Sequence, residues 1–195
     1  MSPLPARAED GDKRSAILGA ALALFVERGY YGTAVPAVAE RAGVGAGTIY
    51  RYFKSKEDLV NALYRDCKEK LAMHVLIGIS ASAPPREQFH QLWSRLAHFS
   101  LENPAIFSFL ELHHHVSYLD DESRAMEGRV LDLATSFVAR LQAAKVVKPI
   151  SADVIMAIVY WSFVGLCRCA QEGRLILSEE NLAVAEQCVW EAIRY

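Results

Sequence analysis

Apolar residues recur at helical spacing along nearly the whole chain, and short polar or glycine-containing breaks separate the stretches. In the first stretch Ile17, Ala20, Ala21, Leu24 and Phe25 fall at positions i, i+3, i+4, i+7 and i+8, which puts them on one face of an α-helix. No pair of stretches shows the alternation of apolar and polar residues that strands require. The period therefore predicts an all-α fold.

About nine helices are predicted, of which the second and third are the shortest. Their approximate bounds are 10–28 (from Asp10 or Asp12), 34–42, 46–53, 56–77, 86–101, 104–116, 122–144, 152–172 and 179–194. Gly29, Gly43 and Gly173 are expected to end helices. Thr33, Ser55, Ser151 and Ser178 stand where a side-chain oxygen can cap a helix, and Asp58 extends the cap at Ser55 into a capping box.

Charge is unevenly distributed between the two ends of the chain. Residues 1–56 carry eight Lys and Arg against five Asp and Glu, a net of +3, whereas residues 57–195 carry thirteen against eighteen, a net of −5. A basic end on an acidic body suits an anionic partner at that end. The uneven charge favours a division into two domains, 1–56 and 57–195.

Composition favours a globular cytoplasmic protein, with 52% hydrophobic and 23% charged residues. The first eleven residues have no apolar core typical of a secretory signal. The longest uncharged apolar run, 154–167, is too short to span a membrane. Cys67, Cys167, Cys169 and Cys188 match no zinc spacing and are interpreted as free thiols in a reducing compartment.

The first three helices have the pattern of a helix-turn-helix. Such a motif needs a close crossing of its second and third helices, and Ala39, Ala42 and Gly43 supply small side chains there. Val44 and Ile49 are predicted to fill the space between the helices, and Phe53 is predicted to point inward with Ile49. The third helix would then present its outer face to the major groove of DNA.

The outer face of the third helix begins with small residues and continues with hydroxyls and a guanidinium. Arg51 is interpreted either as a reader of a guanine edge or as a phosphate clamp. Tyr52 is interpreted as a phosphate ligand or as core packing, and Lys56 as a phosphate contact at a helix N-terminus or as a solvated charge. The predicted DNA-binding residues are Thr33, Gly45, Ala46, Gly47, Thr48, Tyr50, Arg51, Tyr52 and Lys56.

The run from Gly32 to Leu59, with its core A-G-V-x-x-G-T-x-Y-x-Y-F-x-S-K-x-x-L, resembles the signature of the tetracycline-repressor (TetR) family. Past Leu59 the resemblance is one of length and helix count. Gly45 replaces a common Ser and Pro36 a common polar residue, which puts two DNA contacts in doubt. The resemblance implies a DNA-binding domain over 1–56 and a ligand-binding and dimerisation domain over 57–195. It also implies a homodimer on a palindromic operator, a small-molecule effector, and repression as the default.

The second domain carries aromatic residues on helical stripes, which are typical of a core and also of an apolar pocket with a few polar anchors. The resemblance implies a hydrophobic inducer among the middle helices, for which Arg95 is a further candidate anchor. The predicted ligand-binding residues are Trp93, Phe99, Phe107, Glu111, His113, Phe137 and Trp161.

The run His113-His114-His115 raises the alternative of a metal site. Neighbouring residues on a helix diverge by about 100°, so three in a row cannot bind one ion. Glu111 and His115 would share a helix face at i, i+4, but no second matching pair is evident. Neither a metal nor any other cofactor is expected.

The last two helices are candidates for the dimer interface, with ordinary packing inside one chain as the alternative. The candidate faces are Ile155, Ile158, Val159, Ser162 and Gly165 on one helix, and Leu182, Ala185, Glu186, Val189 and Ile193 on the other.

Two other function classes compete with DNA binding. An enzyme would need a catalytic constellation, but no G-x-S-x-G, phosphate-binding loop or dinucleotide fingerprint is present. A helical interaction module would not depend on Arg51 or Lys56. The favoured interpretation is a non-enzymatic transcription regulator.

Overall fold

The computed structural model describes residues 6–80, 82–113, 115 and 117–195, with side chains from residue 11 onward except at residue 112. Within these ranges it contains nine helices and no strand, which confirms the all-α class. The helices are α1 (Ala6–Gly32), α2 (Val35–Arg41), α3 (Ala46–Tyr52), α4 (Lys56–Leu76), α5 (Pro85–Glu102), α6 (Pro104–Leu112), α7 (Asp121–Ala143), α8 (Ala152–Gln171) and α9 (Glu179–Ile193).

Helix α1 begins earlier than the sequence predicted, at Ala6 rather than at Asp10 or Asp12. The residues ahead of Asp10 include alanine, arginine and glutamate, which are strong helix formers and let the helix extend upstream. Gly29 does interrupt the helix, because its backbone has φ 70° and ψ 174°. A further short stretch of helix follows it as far as Gly32.

The prediction that Thr33 caps α2 is wrong. The N-cap residue is Ala34, which makes no side-chain cap bond. The Thr33 hydroxyl instead donates to the carbonyls of Leu24 and Gly29, at 3.1 and 2.8 Å, and the residue is 2% exposed. The Thr33 hydroxyl thus bonds backbone carbonyls at and before the break at Gly29, where helical hydrogen bonding is interrupted.

The three serine caps are confirmed. Ser55 accepts from the amide of Asp58 at 3.1 Å, and Ser151 and Ser178 cap α8 and α9 in the same way. The capping box is incomplete, because the Asp58 carboxylate accepts from the amide of Lys54 rather than of Ser55.

Two helices depart from their predicted form. Helix α6 ends at Leu112, four residues before the predicted end at position 116, which lies outside the described residues. Helix α8 was predicted as regular, but Ala157–Trp161 forms a π-helical turn. A π turn widens the hydrogen-bond ladder by one residue, which an apolar period does not reveal.

The chain divides into two compact units. The first holds residues up to Glu69 together with Ala105–Ser123, and its core includes Phe25 stacked on Phe109. The second holds Lys70–Pro104 and Arg124–Tyr195, and its core includes Trp93 packed edge-on against Phe163. This grouping adds α6 and the start of α4 to the helix-turn-helix.

The prediction that Glu186, Val189 and Ile193 face a partner is wrong. These residues are 4%, 8% and 2% exposed within the single chain. Glu186 is held there by Arg86 and by His90, whose Nδ1 lies 2.9 Å from its carboxylate. A buried carboxylate needs such partners, and α5 supplies both of them.

Helix α8 is the one helix among the described residues that is long and apolar enough to cross a membrane by length and composition. Its apolar window has a mean hydropathy of 1.5, and only 22% of it is buried. The core helix of a soluble protein can pass the same test, but it would be mostly buried. The helix therefore presents apolar surface that the single chain leaves uncovered.

Candidate nucleic-acid interface

The turn between α2 and α3 is built on Gly43. Its φ of 66° is readily available only to glycine. The amide of Val44 donates to the carbonyl of Ala39 at 3.0 Å, and that of Gly43 to Glu40 at 3.1 Å, which is the Schellman arrangement at a helix end. These bonds stop α2 and direct the chain into α3 within four residues.

Helix α3 is anchored by its inner face. Ile49 and the following Phe53 are 1% and 3% exposed, as predicted. They share the buried side of the motif with Val35, Val38 and Ala39 of α2. Because the apolar faces of α2 and α3 are buried inside the motif, the polar side of α3 is turned to solvent.

The exposed side of α3 and the first residue of α4 gather eight of the nine predicted DNA-binding residues. Gly45, Ala46, Gly47, Tyr50 and Arg51 are exposed, whereas Thr48, Tyr52 and Lys56 are half-buried. The ninth, Thr33, is not part of this surface, because its hydroxyl is buried and donates to the α1 carbonyls of Leu24 and Gly29.

Arg51 lies against its neighbour Tyr52. Its Nη2 donates to the tyrosine hydroxyl at 2.9 Å, and its guanidinium carbon is 5.0 Å from the centre of the ring. A guanidinium has five N–H donors in a planar fork, so it can bond more than one acceptor at a time. Tyr52 thus supports Arg51, a role that the sequence reasoning did not include.

Lys56 is held by a residue that the sequence reasoning missed. Its ammonium lies 4.2 Å from the centre of the Tyr30 ring, a cation–π contact. The Tyr30 hydroxyl donates to Glu57 at 2.6 Å. Burial and this bond raise the pKa of Tyr30, and the same bond lowers the pKa of Glu57. The sequence signal that could have pointed to Tyr30 is its position directly after Gly29, the residue that was expected to end α1.

Four predicted effector residues lie in the second compact unit. Trp93 and Phe99 are 3% and 2% exposed, and the Trp93 indole donates to the carbonyl of Leu182 at 3.1 Å. Phe137 is half-buried beside Arg140. Trp161 is 59% exposed, and its assignment to an effector site stays a prediction.

The other three predicted effector residues lie in the first unit. Phe107 is buried, His113 is half-buried, and Glu111 forms an ion pair with Lys68 at 3.2 Å. The further candidate Arg95 donates to the carbonyls of Ile77 and Gly78 just past the end of α4. Its guanidinium is thus hydrogen-bonded to the backbone at the end of α4.

The histidine run does not form a metal site in the described residues, which hold no group of three metal-ligating side chains. His114 lies outside the described residues. His115 is beyond the end of α6, so the predicted i, i+4 relation to Glu111 does not apply. Its ring contacts the carbonyl of Phe109 and, at 2.7 Å, the hydroxyl of Tyr118.

The buried His115 predicts acid-sensitive stability. Burial lowers its pKa to about 4, with Lys68, Glu111 and His113 as the nearby charged or titratable groups. Because the unfolded chain takes up this proton near the ordinary value of 6.5, stability is intact above that pH and is lost as the pH falls toward 4. The full loss is about 3 kcal/mol.

Chemical denaturation at fixed protein concentration, at about pH 7 and about pH 5, measures this effect. We expect the wild type to lose about 2 kcal/mol more than His115→Gln over that interval. The other histidines are common to both proteins and cancel in the comparison. Equal losses in the two proteins would contradict a neutral buried His115.

Comparison with known proteins gives a consistent result. The family model described as "Bacterial regulatory proteins, tetR family" matches residues 17–63, and that described as "Tetracyclin repressor-like, C-terminal domain" matches residues 64–195. The two models meet seven residues after the predicted domain boundary.

Individual proteins agree with the family models. An uncharacterized HTH-type transcriptional regulator of Haemophilus influenzae is 26% identical over 80% of this chain and 82% of its own. The fatty acid metabolism regulator protein of Bacillus subtilis is 36% identical over 49% of this chain and half of its own length. A TetR-family transcription regulator structure from Marinobacter aquaeolei superposes with a TM-score of 0.86 at 24% identity, covering 96% of this chain and 98% of that one.

Proposed function

The chain belongs to the TetR family and is a DNA-binding transcriptional regulator rather than an enzyme. On that premise we propose that it is a cytoplasmic homodimeric repressor. A small hydrophobic effector releases it from a palindromic operator. The observation that carries the proposal is the exposed side of α3, with Gly45, Ala46 and Gly47 leading and Arg51 behind them. The reading head is assigned to residues 1–56 and the regulatory body to residues 57–195.

The small leading edge of α3 suits deep entry into the major groove. Gly45 to Gly47 carry no side chain larger than a methyl group, so the helix backbone can approach the base edges. Arg51 follows as the one long side chain of α3 that can bond a guanine bidentately. Tyr50 and Lys56 contact phosphates on either side of the groove and fix the register.

A second copy of the chain covers the apolar surface of α8. Val154 and Trp161 on α8 are 47% and 59% exposed, and Val184 on α9 is 58% exposed. The proposed interface uses these exposed residues instead of the α9 face predicted from the sequence, which is buried within the chain. A two-fold pairing of α8 and α9 with their copies forms a four-helix interface, and it accounts for the apolar window without a membrane.

A hydrophobic effector is supported by the aromatic content of the body and by the name of one relative. The Bacillus subtilis relative is named for fatty acid metabolism, which favours an effector with an apolar chain. Trp93 and Phe99 are fully packed in this structure, so binding among them requires a rearrangement. Such a rearrangement is what couples an effector to the reading heads.

Selection of bound duplexes from a random DNA pool tests the proposal. We expect a palindromic sequence with half-site centres about 34–36 Å apart, or further in a longer operator, and an affinity that falls steeply with salt. Acyl and aromatic compounds are then screened for release of the selected duplex. Failure to enrich any sequence, or an affinity independent of salt, would overturn the proposal.

A further inference from the structure

Tyr30 contacts both of the first two residues of α4, the side chain of Lys56 through its ring and that of Glu57 through its hydroxyl. The lysine ammonium lies 4.2 Å from the Tyr30 ring centre, and the Tyr30 hydroxyl bonds Glu57 at 2.6 Å. Lys56 and Glu57 are the first two residues of α4. Tyr30 therefore orders the first turn of the helix whose N-terminus is proposed to face a phosphate.

Tyr30 is in turn supported by Tyr118. The two rings stack with centres 4.2 Å apart and an angle of 23° between their planes. Tyr118 belongs to the segment between α6 and α7, far from the helix-turn-helix in sequence but within the same compact unit. An aromatic pair of this kind restrains both rings.

The segment that carries Tyr118 is fastened to α4 by hydrogen bonds. Asn61, which is 2% exposed, donates to the carbonyls of Glu57 and Tyr118 at 2.8 Å and accepts from the amide of Asp120 at 2.9 Å. The Tyr118 hydroxyl also meets His115 Nδ1 at 2.7 Å. The ring of Tyr118 is thus placed independently of Tyr30.

We propose that Tyr118 is a positioning residue for operator binding, which acts by stacking on Tyr30 and so holding Lys56 ready for a phosphate. The inference rests on the proposed DNA-binding function. A lysine has a long flexible stem, and ordering it before DNA arrives lowers the entropy lost on binding. Operator affinity therefore depends on a residue that makes no DNA contact itself.

A double-mutant cycle tests this coupling. Tyr118→Leu keeps an apolar side chain but removes the ring, and we expect it to weaken binding to the selected operator about five- to tenfold. Tyr118→Phe keeps the stack and loses only the hydroxyl, so it should change affinity less than about twofold. In a Lys56→Ala background, Tyr118→Leu should have no further effect.

A measurement without DNA supplies an independent readout. In the wild type the Tyr30 ring should shift the ε-methylene protons of Lys56 upfield in the NMR spectrum, and Tyr118→Leu should reduce that shift. An unchanged affinity and an unchanged shift, or an equal affinity loss in both Lys56 backgrounds, would overturn the inference. A wild type that binds no operator overturns the proposed function, and the NMR shift then still decides whether Tyr118 positions Lys56.

Discussion

Replacing Arg51 and Lys56 together with alanine is expected to weaken operator binding on the order of 1000-fold. Each side chain is present twice in a homodimer, and the loss of one base or phosphate contact typically costs about 1–3 kcal/mol. Both residues lie at the solvent-facing side of α3 and the start of α4, so the fold should remain intact. Fluorescence anisotropy with the selected duplex measures the affinity, and thermal melting checks the fold.

The single variants distinguish the two interpretations of Arg51. A phosphate clamp should lower the slope of log K against log salt by about 0.9 per arginine, hence by about two in a dimer. A base reader should leave the slope nearly unchanged and relax specificity at one position of each half-site. Arg129→Ala on α7 is the matched control, because it removes one exposed charge outside the helix-turn-helix. An unchanged affinity in the double variant would place the DNA contact elsewhere.

Trp161→Glu is expected to dissociate the proposed homodimer. The Trp161 side chain is 59% exposed in the single chain, on a helix whose apolar window is only 22% buried. A carboxylate there would leave two like charges facing a desolvated partner surface, and loss of an interfacial tryptophan commonly costs 2 kcal/mol or more. With two copies per interface, we expect the dimer dissociation constant to rise at least about 100-fold.

Sedimentation velocity over a range of concentrations measures the dissociation. The affinity for a full operator should fall toward that for a single half-site, because the second reading head is then no longer tethered. Leu133→Glu is the matched control, since Leu133 is 60% exposed on α7 and the substitution adds the same charge. A dimer that survives Trp161→Glu but not Leu133→Glu would move the interface to α7.

The helix-turn-helix and the helix count were predictable because their signals are local. The glycine at position 43, the serine caps and the inward Ile49 and Phe53 each depend on residues within a few positions. The Thr33 cap was predicted wrongly for the opposite reason. Its hydroxyl finds better partners nine and four residues back, at a break in α1 whose geometry the sequence did not give.

The sequence by itself determined that the chain is helical, where most helices begin and end, and which short helix carries a bare leading edge. Only the tertiary structure decided which apolar helix faces are buried within the single chain. The period of α9 marks an apolar face, but a buried Glu186 between Arg86 and His90 assigns that face to α5 rather than to a partner. Only the tertiary structure brought Tyr118 onto Tyr30 beside Lys56. Periodicity shows that one face of a helix is apolar. Which element packs on that face depends on contacts between residues far apart in the chain.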